Sequence, residues 1–171
     1  MTNLDYIIKR NIKYEYKNGP DKINSWEDAK ESGLNCGALI HLLINDLFDI
    51  KLPSSLMCFE LAYDQNYFRN LSQEEPRTLG DILVLGRVGL SDKIKRIEQE
   101  YTTQSKILNV LEHPRLHLVM CTANHNELGE PLVIHATPYQ NGGIQLWSIA
   151  ELQKYSCYQQ VYKHLRLKQQ Q

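Results

Sequence analysis

No run of apolar residues approaches the roughly 20 that a membrane-crossing helix needs, so membrane-spanning classes drop out. The stretch 1–16 has no uninterrupted apolar core and no small-residue cleavage site; no secretory signal is expected, and the chain reads as cytoplasmic with reduced thiols. There is no excess of charge: 19 Lys+Arg against 20 Asp+Glu leave a net charge of -1. That balance gives no electrostatic case for a nucleic-acid partner or an anionic membrane surface. No CxxC spacing occurs, because Cys36, Cys58, Cys121 and Cys157 are scattered, which argues against a zinc knuckle or a thioredoxin-type pair. Phenylalanine is scarce, 3 against 10 tyrosines, a bias that suits polar grooves and interfaces but identifies no ligand. Neither an internal repeat nor a linker is seen, and 171 residues fit one domain, 1–171, large enough to bury a core without staples.

What is present divides by periodicity. Leu4, Ile7 and Ile8 at helical spacing predict a first helix, ended by the breaker Asn18-Gly19-Pro20. Ser25 with Asp28 three residues on predicts a short capped helix that Gly33 stops. The strongest helix begins at Cys36, with apolar positions 36, 39, 40, 43, 44, 47 and 48, Asn35 as N-cap and an end near Asp49. Another helix is expected from Ser54 or Ser55 through Met57 and Leu61 to Tyr67-Phe68. After Pro76 the period shortens, and Ile82-Leu83-Val84-Leu85, bounded by Gly86, reads as a buried strand. A charged helix follows from Ser91 to about 111, marked by Ile94, Ile97, Tyr101, Ile107, Leu108 and Leu111 and closed by Pro114. Four strands are then expected at 116–123, 132–137, 144–148 and 159–167, with Asn141-Gly142 as a hairpin signal. Helices first and antiparallel strands later make an α+β domain.

Cys36 falls in the first turn of the best helix, where unpaired N–H groups and the positive end of the macrodipole favour a thiolate. Gly37 and Ala38 beside it leave room for a substrate carbonyl, and the Cys36 N–H could donate to an oxyanion. The bland alternative is a buried cysteine on an apolar stripe. Two histidines weigh against it. His117 sits in a strand where alternation puts His117, Val119 and Cys121 on one face, and His135 interrupts the next strand. A base must reach the thiol, and its second nitrogen must be held by another polar group. Adjacent strands can deliver both, with His117 toward Cys36 and His135 behind it. A zinc site from His113, His117 and Cys121 competes, but Pro114 and the strand pattern break helical spacing and no fourth ligand is evident. No metal and no organic cofactor are expected. Cys58, Cys121 and Cys157 read as packing or bystander thiols. His41 should sit well around the helix from Cys36, and His113, His125 and His164 read as surface residues.

On these residues the sequence resembles the NlpC-type cysteine peptidases, bacterial cell-wall hydrolases of the papain-like superfamily. Asn35-Cys36-Gly37-Ala38 stands where the family has an Asp-Cys-Ser-Gly-like box opening a helix. Gly80-Asp81-Ile82-Leu83-Val84, Leu116-His117-Leu118-Val119 and Ile134-His135-Ala136 follow in the family's order. Tyr16-Lys17-Asn18-Gly19 matches the family's Tyr-x-x-Gly, whose phenol helps bind the oxyanion; the resemblance gives that role to Tyr16, with Tyr14 in reserve. The chain departs from the pattern in Asn35 for Asp, in Gly37-Ala38 for Ser-Gly, in a longer stretch between Gly19 and Cys36, and in a helical insertion between Gly86 and His117. Wall-acting members are normally exported, often with a wall-binding repeat, and neither feature is seen here.

The resemblance implies a papain-like fold and a cysteine amidase or peptidase working through a thioester, with Cys36 as nucleophile, His117 as base and His135 as orienting group. Tyr16, Cys36 and Gly37 would form the oxyanion and substrate contact. The substrate implied is a peptide-like or small amide, the family's type being the γ-D-glutamyl to diamino-acid bond of murein peptides. Hydrolysis and transfer to an amine both remain open, as does the oligomeric state. The rival reading is a catalytically idle domain of the same fold that binds a partner protein through Ile94, Ile97, Tyr101 and Ile107. Packing of that helix on its own domain is the favoured expectation.

Overall fold

Six strands, β1 (Phe68–Asn70), β2 (Ile82–Gly86), β3 (His117–His125), β4 (Pro131–Thr137), β5 (Gly143–Ser148) and β6 (Gln160–Leu167), pair antiparallel in the order β1-β6-β2-β3-β4-β5. Around the sheet lie α1 (Asp5–Lys9), α2 (Trp26–Ser32), α3 (Cys36–Phe48), α4 (Cys58–Leu61), α5 (Ser91–Gln104), α6 (Ile149–Leu152) and a 3-10 turn at Ser156–Tyr158. The structure, a computed structural model, describes residues 4–104 and 113–168. The architecture is α+β. None of the described helices is long and apolar enough to cross a membrane.

Each sheet face packs its own cluster. Ile82, Val84, Leu118, Met120, Ile134, Ala136 and Leu165 face the α3 side, while Leu83, Leu85, Val119, Cys121, Val133 and Trp147 face the other with Leu152 and Tyr158. Burial on both faces explains why β2 reads as an unbroken apolar run and not as an alternating one.

Local chemistry sets the helix ends. Ser25 Oγ accepts from the Asp28 N–H at 3.1 Å, and Gly33 leaves α2 at φ 77°. Asn35 caps α3 through Oδ1, which accepts from the Ala38 N–H at 3.0 Å, and Asp49 ends it at φ 55°. Every residue from Cys36 to Ile44 is buried, not only the expected stripe, because α3 lies against β3 and β4 and is also covered by α4. Each fully buried Leu or Ile there contributes about 1.5–3 kcal/mol. Asp46, near the end of α3, ties down the N-terminal region by accepting from Trp26 Nε1 at 2.7 Å and from Tyr6 Oη at 2.8 Å.

The helix expected through residue 68 is cut to the four residues of α4. Asp64 Oδ1 captures the N–H groups of Asn66 (3.1 Å) and Tyr67 (2.7 Å), which a continuing helix would donate to carbonyls. Phe68–Asn70 instead forms the edge strand β1 on β6. In the insertion, Ile94 and Ile97 are buried in the main core and Tyr101 packs on Tyr63, so α5 is covered by its own domain. Ile107, Leu108 and Leu111 lie outside the described residues.

Two histidines expected at the surface are not there. His164 is buried with a ring nitrogen 2.7 Å from Asp81 Oδ2, and Arg166 donates to both Asp81 oxygens at 2.7 and 2.8 Å. Strand alternation around Leu165 turns His164 and Arg166 away from the α3 side, so a buried carboxylate supplies the partner their polar atoms need. His113 is half-buried between Phe59 and Tyr63, and burial pushes its pKa down to about 4. His125 is exposed as expected.

Candidate active site

The first residue of α3 and the adjacent strands β3 and β4 bring Cys36, His117 and His135 together. In the β3–β4 register Met120 faces Ile134, so Val119 stands opposite His135 and His117 is its diagonal neighbour on the same face. The His117 Nε2 to His135 Nδ1 distance is 3.0 Å. That bond leaves His117 its other nitrogen, Nδ1, to serve Cys36, whose thiol the ring helps to hold down.

The Cys36 thiol is held well below its ordinary pKa. The leading cause is a hydrogen bond from Cys58; burial opposes it, and the hydrogen bond and charge of His117 and a backbone hydrogen bond from Leu118 add to it. The Sγ atoms of Cys36 and Cys58 are 3.5 Å apart. A thiolate can only accept, so Cys58 is the donor, and the hydrogen bond to Cys36 together with burial holds Cys58 well above its usual value. Cys58, read from sequence as a bystander, thus belongs to the site. Its placement has a visible cause: His41 Nε2 donates to the Leu56 carbonyl at 2.8 Å, anchoring the connection that delivers Cys58 to α3.

Gly37 does not leave open room for a substrate. A Cβ there would stand 2.4 Å from Cys58 Sγ and 3.3 Å from the Cys58 backbone nitrogen. The glycine admits Cys58, and the space expected for a substrate carbonyl is filled. The departure at Asn35 also acquires a reason. Its amide caps α3 with Oδ1 while Nδ2 donates to the Tyr16 carbonyl at 3.2 Å. An aspartate could not make the second bond, and its charge would oppose a thiolate next door.

Tyr16 is 64% exposed and meets Asn35 only through that carbonyl. Tyr14 is within electrostatic reach of both thiols: its phenol is pushed up first by burial, then by the charges of Cys36 and Cys58. The backbone fixes it there through a parallel bridge to Leu34, in which Leu34 N–H donates to Lys13 O at 3.0 Å and Glu15 N–H donates to Leu34 O at 2.9 Å. Tyr16 already lies in the turn that follows the bridge and is turned to solvent, so of the two tyrosines it is Tyr14 that stands near the cysteines.

His135 is completely buried, and burial together with the nearby His117 pushes its pKa down to about 2, so it stays neutral. When His117 carries both protons, Nε2–H must donate to His135 Nδ1, which places the His135 proton on Nε2. Among the described residues that nitrogen has no hydrogen-bond partner, and it lies in a ring environment that includes Trp147, centroids 4.5 Å apart. Tyr158 stacks on His117 with centroids 4.2 Å apart and planes 21° apart, which restrains the ring's orientation. Tyr158 and Cys58 were not singled out from the sequence. The only signal for Cys58 was a glycine directly after Cys36, the mark of a close approach; Tyr158 carried none. Clefts of about 620 Å³ beside α5 and about 1210 Å³ beside Arg166 are not lined by Cys36, His117 or His135.

No family model, no curated protein and no solved structure matches the chain.

Proposed function

We propose that this chain is a cysteine hydrolase of the papain-like, NlpC type, cleaving a peptide-like or small amide bond through a thioester. The observation that carries the reading is the pairing of His117 Nε2 with His135 Nδ1 at 3.0 Å, beside a helix-terminal Cys36 whose thiol the His117 ring helps to hold down. In this mechanism His117 Nδ1 accepts the Cys36 proton while its Nε2–H stays bonded to neutral His135. The thiolate attacks the acyl carbonyl, and the oxyanion is met by the Cys36 N–H and the Tyr14 hydroxyl. His117 then returns the proton to the departing amine, and water activated by the same ring releases the acid. His135 fixes the tautomer and orientation of the base, as the third member of such a triad does.

The test is the rate of Cys36 alkylation across pH, read by mass spectrometry, in wild type and His117→Ala. Fast labelling well below the ordinary thiol pKa near 8.5, lost in His117→Ala, is expected. Labelling that rises only with ordinary thiol ionisation would sink the enzyme.

The rival, an idle domain that binds a partner, draws on one observation. Cys36 and His117 are 7% and 6% exposed, and Cys58 fills the space over Gly37. The same labelling experiment separates the two, since an idle site has no reason to hold an activated thiolate.

A further inference from the structure

Two cysteines whose sulfurs nearly touch are more than one nucleophile requires. Cys36 and Cys58 each stand at the first residue of a helix, α3 and α4, and their Sγ atoms lie 3.5 Å apart. A disulfide needs about 2.05 Å, so the sulfurs must close by roughly 1.5 Å, within reach of side-chain rotation. The connection 49–57 contains no helix or strand and can yield to the remaining shift. Gly37 gives up its side chain so that Cys58 can approach this closely. Cys58 Sγ also reaches Asn35 Oδ1 at a long 3.7 Å, but that atom is already engaged by the Ala38 N–H. The remaining thiols are differently placed. Cys121 lies in the apolar cluster of the opposite face, and Cys157 meets Tyr139 Oη at 3.3 Å.

We propose that Cys36 and Cys58 are a reversible oxidation site, at which a peroxide converts the two thiols into an intramolecular disulfide that masks the Cys36 sulfur. The Cys36 thiolate attacks one peroxide oxygen: an S–O bond forms, the O–O bond breaks, and hydroxide leaves, taking a proton from His117 to become water. Cys36 is now a sulfenic acid, two electrons more oxidised, and the peroxide is reduced. Cys58, no longer facing a negative sulfur, attacks Cys36: the S–S bond forms, the S–O bond breaks, and the departing hydroxide takes the Cys58 proton as water. The sum is two thiols and one peroxide giving a disulfide and two waters. A dithiol reductant reverses it by exchange. The pair also protects the nucleophile, because capture by Cys58 competes with further oxidation to the irreversible sulfinic acid. None of this depends on amide hydrolysis.

The experiment treats the reduced, folded chain with a few equivalents of hydrogen peroxide and maps tryptic peptides. Cleavage after Lys51 separates the two cysteines, so the disulfide joins peptides 31–51 and 52–69 with loss of two hydrogens. That cross-link, with loss of Cys36 alkylation and recovery of both by dithiothreitol, is the expected result. In Cys58→Ser, Cys36 should instead gain two oxygens and resist the reductant. Oxygen adducts on wild-type Cys36 without the cross-link would overturn the proposal, as would a cross-link forming no faster in the folded than in the denatured chain. The wild-type mapping needs no variant, so it decides even if Cys58→Ser does not fold. Slow Cys36 alkylation in the reduced protein alongside rapid cross-linking would remove the hydrolase and keep the oxidation site; the opposite pair of results would do the reverse.

Discussion

His135 offers the sharpest perturbation, because its proposed role is confined to one nitrogen. Replacing it with leucine keeps an apolar side chain of comparable bulk in a fully buried position, but removes the acceptor 3.0 Å from His117 Nε2. The imidazolium of His117 then holds a proton with no partner. A hydrogen bond to a charged group contributes about 1.5–3 kcal/mol. At about 1.36 kcal/mol per pKa unit, its loss should raise the midpoint of Cys36 ionisation by about 1–2 units. Asparagine gives the contrast, since its Oδ1 falls where the His135 Nδ1 now lies and can accept the same proton. His135→Asn should therefore leave the midpoint within about half a unit of wild type. The assay is the pH dependence of Cys36 alkylation, with thermal unfolding to establish that both variants are folded. A folded His135→Leu protein with the wild-type midpoint would refute the orienting role, whatever its effect on turnover.

Asp81 should govern acid stability. Burial alone would raise its carboxyl, but Arg166, the Thr78 N–H and His164 together hold it below the usual value. A depressed carboxylate stabilises the fold above its unfolded pKa near 3.9 and loses that contribution as pH falls through the lower folded value. Unfolding by denaturant should show an acid limb below about pH 4 that flattens in Asp81→Asn, with a loss of about 3–5 kcal/mol at neutral pH; an unchanged acid limb would count against this. Gly37→Ala should lower stability by about 1–3 kcal/mol, because the new Cβ meets Cys58 Sγ at 2.4 Å. Cys58→Ala in the same chain should recover part of that loss in a double-mutant cycle, and strict additivity would show that the two side chains do not compete for the space.

Patterns that act over a few residues were open to reading in one dimension. The caps Ser25 and Asn35, the stop at Asp49, the buried run of β2 and the strands carrying His117 and His135 each follow from spacing and local hydrogen-bond chemistry. Alternation put His117 on the face of Val119 and Cys121, and the sheet keeps it there. The sequence also marked Cys36 by its place at a helix start. What it could not fix were contacts between distant segments, since no local rule chooses among partners that are all compatible with their own elements. Asp64 cut short a helix that apolar spacing favoured, by taking amide protons two and three residues on. His164 and Cys58 looked idle until Asp81 and Cys36, remote in the chain, arrived beside them. Tyr14, held by its bridge to Leu34, stands near the thiols, whereas the turn that begins at Tyr16 carries that side chain into solvent. Thus the identities of the thiol and the two histidines lay in the sequence. Their neighbours, the protonation of the thiol and the space left above Gly37 belong to tertiary packing, because burial and electrostatic distance exist only once the chain has closed on itself.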